Sequence, residues 1–290
     1  VASSIGPEYA IEATAGRTLI TLFEGSRRLT DPGDTNVRFD ETITNHLGRD
    51  PVRRAVDNIG IRPAEGQPVQ WWLYYPAVLI PDEMPSALRS HPAFAKSLEA
   101  YRRGNISAAQ MGLPTDPDFS VPGAREYVAA LNIASGATDA AQRLLDGHGV
   151  DHRVRSALDT LLAAVTGLGK PTSPAGDMTA SELLAWSWWH QAQWNIPAAL
   201  QDARNAFKRY PKSLAAERVA QLEFASGNLA AARRATDTAL EHTRESAIAL
   251  SVRGYLSAAE NHLEQAEAFF SKAIDLDPRF GEPWFGRGLV

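Results

Sequence analysis

Toward its C-terminus the chain carries apolar and small residues at a helical spacing that restarts at regular intervals. Three segments line up. Ala199, Ala203 and Ala206 follow Trp194-Asn195-Ile196; Ala232, Thr236 and Ala239 follow Gly227-Asn228-Leu229; Ala266, Phe270 and Ala273 follow Asn261-His262-Leu263. In each segment the three residues stand at i, i+4 and i+7, one face of a helix. Successive segments are offset by 33 and then 34 residues, the period of a helix–turn–helix unit stacked in a row. The pattern predicts an α-solenoid.

The residue types fit that packing. Antiparallel helices approach closely only where side chains are small. Ala199, Ala232 and Ala266 open the second helices, and Ser187, Ala220, Gly254 and Gly288 form a matching small column on the first helices. Leu183, Leu250 and Trp284 fill the first-helix gaps, while Phe207, Leu240 and Ile274 fill those of the second helices. Ile196, Leu229 and Leu263 pin the turns, and Pro211 and Pro278 stand just past helix ends, where proline cannot continue a helix. Worn copies lie upstream. Gly104-Asn105-Ile106 and Gly136-Ala137-Thr138 restate the turn, Pro114 and Pro117 shorten the helix after Ile106, and residues 153–166 predict another first helix whose partner Pro171 and Pro174 interrupt.

The N-terminal stretch has a different period. Tyr9, Ile11 and Ala13 alternate with polar or small residues, Thr18 to Phe23 is β-branched and aromatic, and Val37 and Phe39 alternate again after the turn Asp31-Pro32-Gly33-Asp34. These predict short strands over 8–43. Residues 46–70 read as irregular, because Asp50-Pro51, Gly60, Pro63, Gly66 and Pro68 break every candidate element. The aromatic run Trp71-Trp72-Leu73-Tyr74-Tyr75 then stands at the change of period, where an extended segment would plug the seam between β and helical parts, or offer rings to a ligand. The expected fold is mainly α: a solenoid of helix–turn–helix repeats with a small N-terminal β portion. Its expected divisions are 1–80 (β and joining segment), 81–175 (degenerate repeats) and 176–290 (regular repeats, the last incomplete).

The columns Ala199–Pro211, Ala232–Leu240 and Ala266–Pro278, with Trp284 and Gly288 after them, resemble the tetratricopeptide repeat family. Ala203 and Thr236 replace its usual aromatic and Arg244 its usual proline, so the second unit is expected to pack more loosely. Thr18 to Gly25, the strand Asn36 to Glu41 and the segment Gly66–Pro76 resemble the C-terminal part of a FecR-like domain, an extracytoplasmic β module. Together these resemblances imply a non-enzymatic interaction scaffold of the bacterial cell envelope, periplasmic or associated with the outer membrane. It would take part in transport, export or surface assembly, with protein or peptide partners that include an outer-membrane component or further parts of its own chain. Two alternatives stand beside it: a carbohydrate- or peptidoglycan-binding module using tryptophan-rich surfaces, and a regulatory signalling protein.

Composition narrows the picture further. Lys and Arg total 29 against 34 Asp and Glu, a net charge of −5, so the chain carries no global electrostatic footprint for nucleic acid. Cysteine is absent, which removes disulfides, thiolate metal sites and cysteine nucleophiles together. No apolar run reaches the ~18 residues of a membrane-spanning helix. The chain starts at Val1 without an initiator methionine and stops at Leu289-Val290 inside a helical pattern, which reads as a segment of a longer protein.

Candidate chemistry is sparse. Gly167-Leu168-Gly169-Lys170 suggests a phosphate loop, but Ala164 stands where the first glycine belongs and Pro171 where Ser or Thr belongs. His148 and His152 have a ligand-like spacing, but Gly147 and Gly149 break the helix it would need. His190, among Trp186, Trp188, Trp189 and Trp194, reads as a core or groove histidine. No catalytic residue, metal ligand or cofactor site is expected. Binding is the better-supported chemistry: first helices line the concave face of a helix-pair solenoid, and there Trp188, Gln191, Glu217, Gln221 and Tyr255 are the candidate contact residues.

Overall fold

The computed structural model describes residues 77–146, 152–172 and 177–290, together with the backbone of six strands nearer the N-terminus. The chain divides into two compact units, Val1–Val69 and Gln70–Val290. The aromatic run at 71–75 and His148 lie outside the described residues, and His152 is described only as backbone.

In the first unit, strands β1 (Tyr9–Thr14), β2 (Arg17–Leu22), β5 (Glu41–His46) and β6 (Val52–Ala55) form an antiparallel sheet in that order, and β3 (Ser26–Leu29) pairs with β4 (Thr35–Arg38). Ile11 pairs with Ile20, and Ile20 with Ile43. Strand β6 corrects the reading of 46–70 as wholly irregular. Val52–Ala55 pairs with β5 at the sheet edge, where a short strand directly after a proline is tolerated and a non-local ladder overrides the local breakers.

The second unit is helical. Its early helices are α1 (Ser86–Arg89), α2 (Ala95–Arg102), α3 (Ile106–Met111), α4 (Ala124–Ala134), α5 (Thr138–Leu145) and α6 (His152–Thr166). The regular region holds α7 (Ala180–Ala192), α8 (Ile196–Arg209), α9 (Ser213–Ala225), α10 (Leu229–His242), α11 (Ala247–Ala259), α12 (Leu263–Leu276) and α13 (Gly281–Leu289). Helices α7 and α8, α9 and α10, and α11 and α12 pack as neighbouring pairs, and α6 lies along α7 instead of acquiring a second helix of its own.

The periodic columns are the packing surfaces. All nine residues of the i, i+4, i+7 pattern, from Ala199 to Ala273, are fully buried. Phe270 is the one large side chain among them, and glycines make its room. A Cβ at Gly254 would come 2.5 Å from its ring, and one at Gly286 would also clash. The ring is therefore clamped between α11 and α13. Gly288, assigned by sequence to the small column, faces open space, because that column packs against the second helix of its own pair and none follows among the described residues. Where Ala203 and Thr236 stand in place of aromatics, both are buried, and Thr236 donates to the Ala232 carbonyl at 2.7 Å. A groove of about 240 Å³ lies between α8 and α10 above α9, lined in part by Phe207, Val219, Ala231 and Ala235.

The turns repeat as well. Gly104, Gly136, Trp194, Gly227 and Asn261 share a left-handed backbone with φ between 60 and 81°. Glycine adopts it freely and asparagine tolerates it; tryptophan pays a steric cost.

The first helical pair does more than begin the row. Asn105, in the turn between α2 and α3, donates from Nδ2 to the Leu276 carbonyl at 2.6 Å, and the Ser107 hydroxyl donates to Asp277 Oδ1 at 2.7 Å. The preceding segment is bound in the same manner. Val78, Leu79 and Ile80 are at most 1% exposed, the Ile80 amide donates to Ser181 Oγ at 2.8 Å, and Asp82 pairs with Lys212. The Glu83 carboxylate accepts from the amides of Ala180 and Ser181 at 2.7 and 2.9 Å, where the exposed N–H groups and dipole of α7 favour an anion. Residues 77–107 thus lie across the N-terminal ends of α7 and α9 and reach the junction before α13.

Two substitutions check the packing account. Gly254→Ala should cost about 1–3 kcal/mol by overpacking against Phe270, whereas Gly288→Ala should be neutral or stabilise by up to about 1 kcal/mol through helix propensity; urea unfolding of both distinguishes them. Trp194→Gly should stabilise the chain by about 1 kcal/mol by relieving the left-handed strain, measured in the same way.

Candidate functional site

The faces of α7, α9 and α11 together with the start of α13 line a part-open cleft whose inner cavity measures about 30 Å³, with Ala77 also in its lining. Its position follows from the repeat. Leu214, Ile248 and Glu282 line it at intervals of 34 residues, so one column of successive first helices supplies three of its walls. Leu184 lies one helical turn before Trp188, and Leu214 one turn before Arg218, so apolar and polar lining residues alternate along the same helix faces.

Trp188, Glu217 and Gln221, three of the five sequence candidates, meet in this cavity. Trp188 presents its ring to the Arg218 guanidinium, 3.6 Å from the ring centroid, a stacked cation–π contact worth ~2 kcal/mol when desolvated. Glu217 is 2% exposed. Its Oε1 accepts from the hydroxyls of Ser213 at 2.6 Å and Ser246 at 2.7 Å, while Oε2 has no partner. Gln221 is half-buried at the margin. The expectation of exposed contact residues therefore fails for Glu217, because the Ser246 hydroxyl at the start of α11 closes over its carboxylate.

The other two candidates stand apart from the cavity lining. Tyr255 packs against Phe224 and Phe270, with ring centroids 5.8 and 4.9 Å away, and donates its hydroxyl to the Glu282 carbonyl at 2.8 Å. It joins α11 to α13. Gln191 is half-buried on α7, with Oε1 unpartnered.

Arg218 and Glu282 were not singled out in the sequence. Arg218 is 4% exposed and donates from Nε to Ser187 Oγ at 2.9 Å and from Nη2 to the Ser187 carbonyl at 3.2 Å. Its signal was present: it lies one turn after Leu214 on the same helix as Glu217 and Gln221. Glu282 had a clearer one, since it places a carboxylate in a column otherwise held by Leu214 and Ile248. Burial pushes its pKa up to about 8, and burial also raises that of Glu217, against the lowering effect of the Ser213 and Ser246 hydroxyls. Two perturbed carboxylates and a buried cation in one cleft mark it as a site candidate.

The remaining candidates lie outside this cleft. His190 Nδ1 lies 2.7 Å from Asp202 Oδ2, beside the Trp186 ring, and desolvation is the main effect raising the Asp202 pKa. Gly167-Leu168-Gly169-Lys170 follows the C-terminus of α6 and precedes no described helix start, so it lacks the helix N-terminus that a phosphate cradle uses. Among the described residues no helix is long and apolar enough to cross a membrane. The chain matches no family model and no curated protein.

The cavity has a pH signature. Burial makes Glu217 and Glu282 bind a proton more tightly in the folded chain than an unfolded glutamate does at its ordinary pKa of 4.5. Their contribution to stability is thus fully present below about pH 4.5 and is lost as pH rises through the folded values, to about 8 for Glu282. Stability should fall across that window, and Glu282→Gln should flatten its upper part. Denaturant midpoints at pH 5, 6, 7 and 8 provide the check; an unchanged slope in the variant would remove Glu282 as the cause.

Proposed function

We propose that this chain is a non-enzymatic interaction scaffold that holds a protein or peptide partner through its first-helix face. The observation that carries the reading is the convergence of Trp188, Glu217 and Gln221, contributed by two successive first helices, on a cleft that also presents Arg218 and Glu282. Trp188, Gln221 and Glu282, its half-buried members, offer an aromatic ring and polar groups to a polypeptide laid over the opening, with Glu217 and Arg218 buried behind them. The tetratricopeptide-like columns favour the same reading, since solenoids of this kind expose extended binding faces.

We further place the protein in the bacterial cell envelope, periplasmic or associated with the outer membrane, in a transport, export or surface-assembly system. The support is the resemblance of Thr18 to Gly25 and Asn36 to Glu41 to a FecR-like module. A sugar platform is less favoured at Trp188, because the Arg218 guanidinium already covers one face of its ring.

Photo-crosslinking tests both parts of the proposal. A benzoylphenylalanine at position 221 should give one discrete adduct in envelope fractions, while the same group at the exposed position Gln201 should give none. Equal labelling at both positions would sink the first-helix face as the binding surface. A discrete adduct found only in cytosolic fractions would sink the envelope assignment.

A further inference from the structure

The guanidinium of Arg218 is buried without a counter-charge. Its Nε and Nη2 are spent on the hydroxyl and carbonyl of Ser187, and the Trp188 ring covers one face. Among the described residues no carboxylate forms an ion pair with it, although nine lysine or arginine pairs with carboxylates occur elsewhere in the helical unit. The neighbouring Glu217 commits Oε1 to two serine hydroxyls and leaves Oε2 unpaired in the same cavity wall. An arginine stays protonated at any physiological pH, and a buried charge without a partner is strongly unfavourable unless something neutralises it.

The cavity beside this guanidinium measures about 30 Å³ and has Leu184, Leu214, Ile248 and Phe280 in its walls. That is room for a group of one or a few heavy atoms. Glu217 and Glu282 share the lining, and burial biases both carboxyls toward their neutral form, which leaves the Arg218 guanidinium as the group whose charge an entering anion meets. Gln221 adds an amide at the margin that can donate to an anion.

We propose that this cavity is a binding site for a compact monovalent anion, a chloride or a single carboxylate group, held as the counter-ion of Arg218 on the Trp188 shelf. The Trp188 ring and the two bonds to Ser187 hold the guanidinium in place, and its N–H groups not engaged by Ser187 remain available to the ion. The site stands whether or not a polypeptide docks above it, and its test differs from the crosslinking test of the partner.

The experiment uses the full chain. Chemical unfolding is followed in sodium chloride, sodium acetate and sodium gluconate at matched ionic strength, gluconate being too bulky for the space. In the wild type, chloride and acetate should raise the folded-to-unfolded ratio above the gluconate value in a saturable way, by about elevenfold at ten times the dissociation constant. Arg218→Gln keeps hydrogen-bonding capacity and removes the charge, so the chloride response should vanish; any general acetate effect common to both proteins is subtracted by the same comparison. Chloride-35 line broadening provides a direct reading on the wild type. It should be relieved by acetate, retained in Arg218→Lys and lost in Arg218→Gln. Should Arg218→Gln fail to fold, the wild-type competition and Arg218→Lys carry the decision. Equal anion responses in wild type and Arg218→Gln, or no broadening that acetate relieves, would overturn the site and assign the guanidinium to a water-mediated pair with Glu217. Broadening relieved by chloride-competing acetate but not by an acetylated acidic tripeptide would identify the occupant as a free ion; relief by the tripeptide would identify a carboxylate offered by a polypeptide.

Discussion

Close approach of helices is the constraint on which the second unit depends. Alanine, threonine and glycine at the crossing points let successive helices come together without side chains holding them apart. The cost is that little apolar surface is available at each crossing. The chain compensates at one place by inserting Phe270 between Gly254 and Gly286, and elsewhere with flanking residues such as Leu183, Leu250 and Ile274, which are all buried. Small residues set the distance, and the larger neighbours supply most of the contact area.

That division explains what could be read from the sequence. The i, i+4, i+7 faces were legible because they are local: each lies within eight residues of chain and repeats at a fixed interval. The turn positions were legible for the same reason, although the left-handed backbone at Trp194 was not, since nothing in its residue type announces a positive φ. The candidate site was partly legible. Trp188, Glu217 and Gln221 fall on the predicted face, but sequence geometry could not tell that Ser246 would close over Glu217 or that Tyr255 would be drawn toward Phe270 and Glu282. Both depend on contacts between different helix pairs. Strand β6 escaped notice for a related reason, since pairing with β5 outweighs the breakers that flank it in sequence.

The cleft brings buried charged groups of both signs together, whereas Glu182, Glu223 and Asp277 are buried singly elsewhere in the helical unit. Most of its ion pairs are exposed and contribute little to stability. In the cleft the balance reverses. Arg218 is out of solvent, Glu217 is out of solvent, and Glu282 interrupts an apolar column. Retaining such groups costs stability, and part of that cost is offset because they bridge helices: Arg218 ties α9 to Ser187 of α7, and Glu217 ties it to Ser246 at the start of α11.

The hydrogen bonds from Asn105 and Ser107 to Leu276 and Asp277 span 171 and 170 residues of chain. During synthesis the N-terminal partner emerges long before the C-terminal one exists. At the usual ~5–20 residues per second the gap lasts on the order of ten to thirty seconds. Val78, Leu79 and Ile80 wait a shorter time, on the order of five to twenty seconds, for Ser181, which lies 101 residues on in the first turn of α7. A row of helix pairs in contact only with neighbours can fold as it is made. Here these contacts of the first pair cannot form until α12 and Asp277 have left the ribosome, and the apolar segment Val78–Ile80 needs protection until α7 is made.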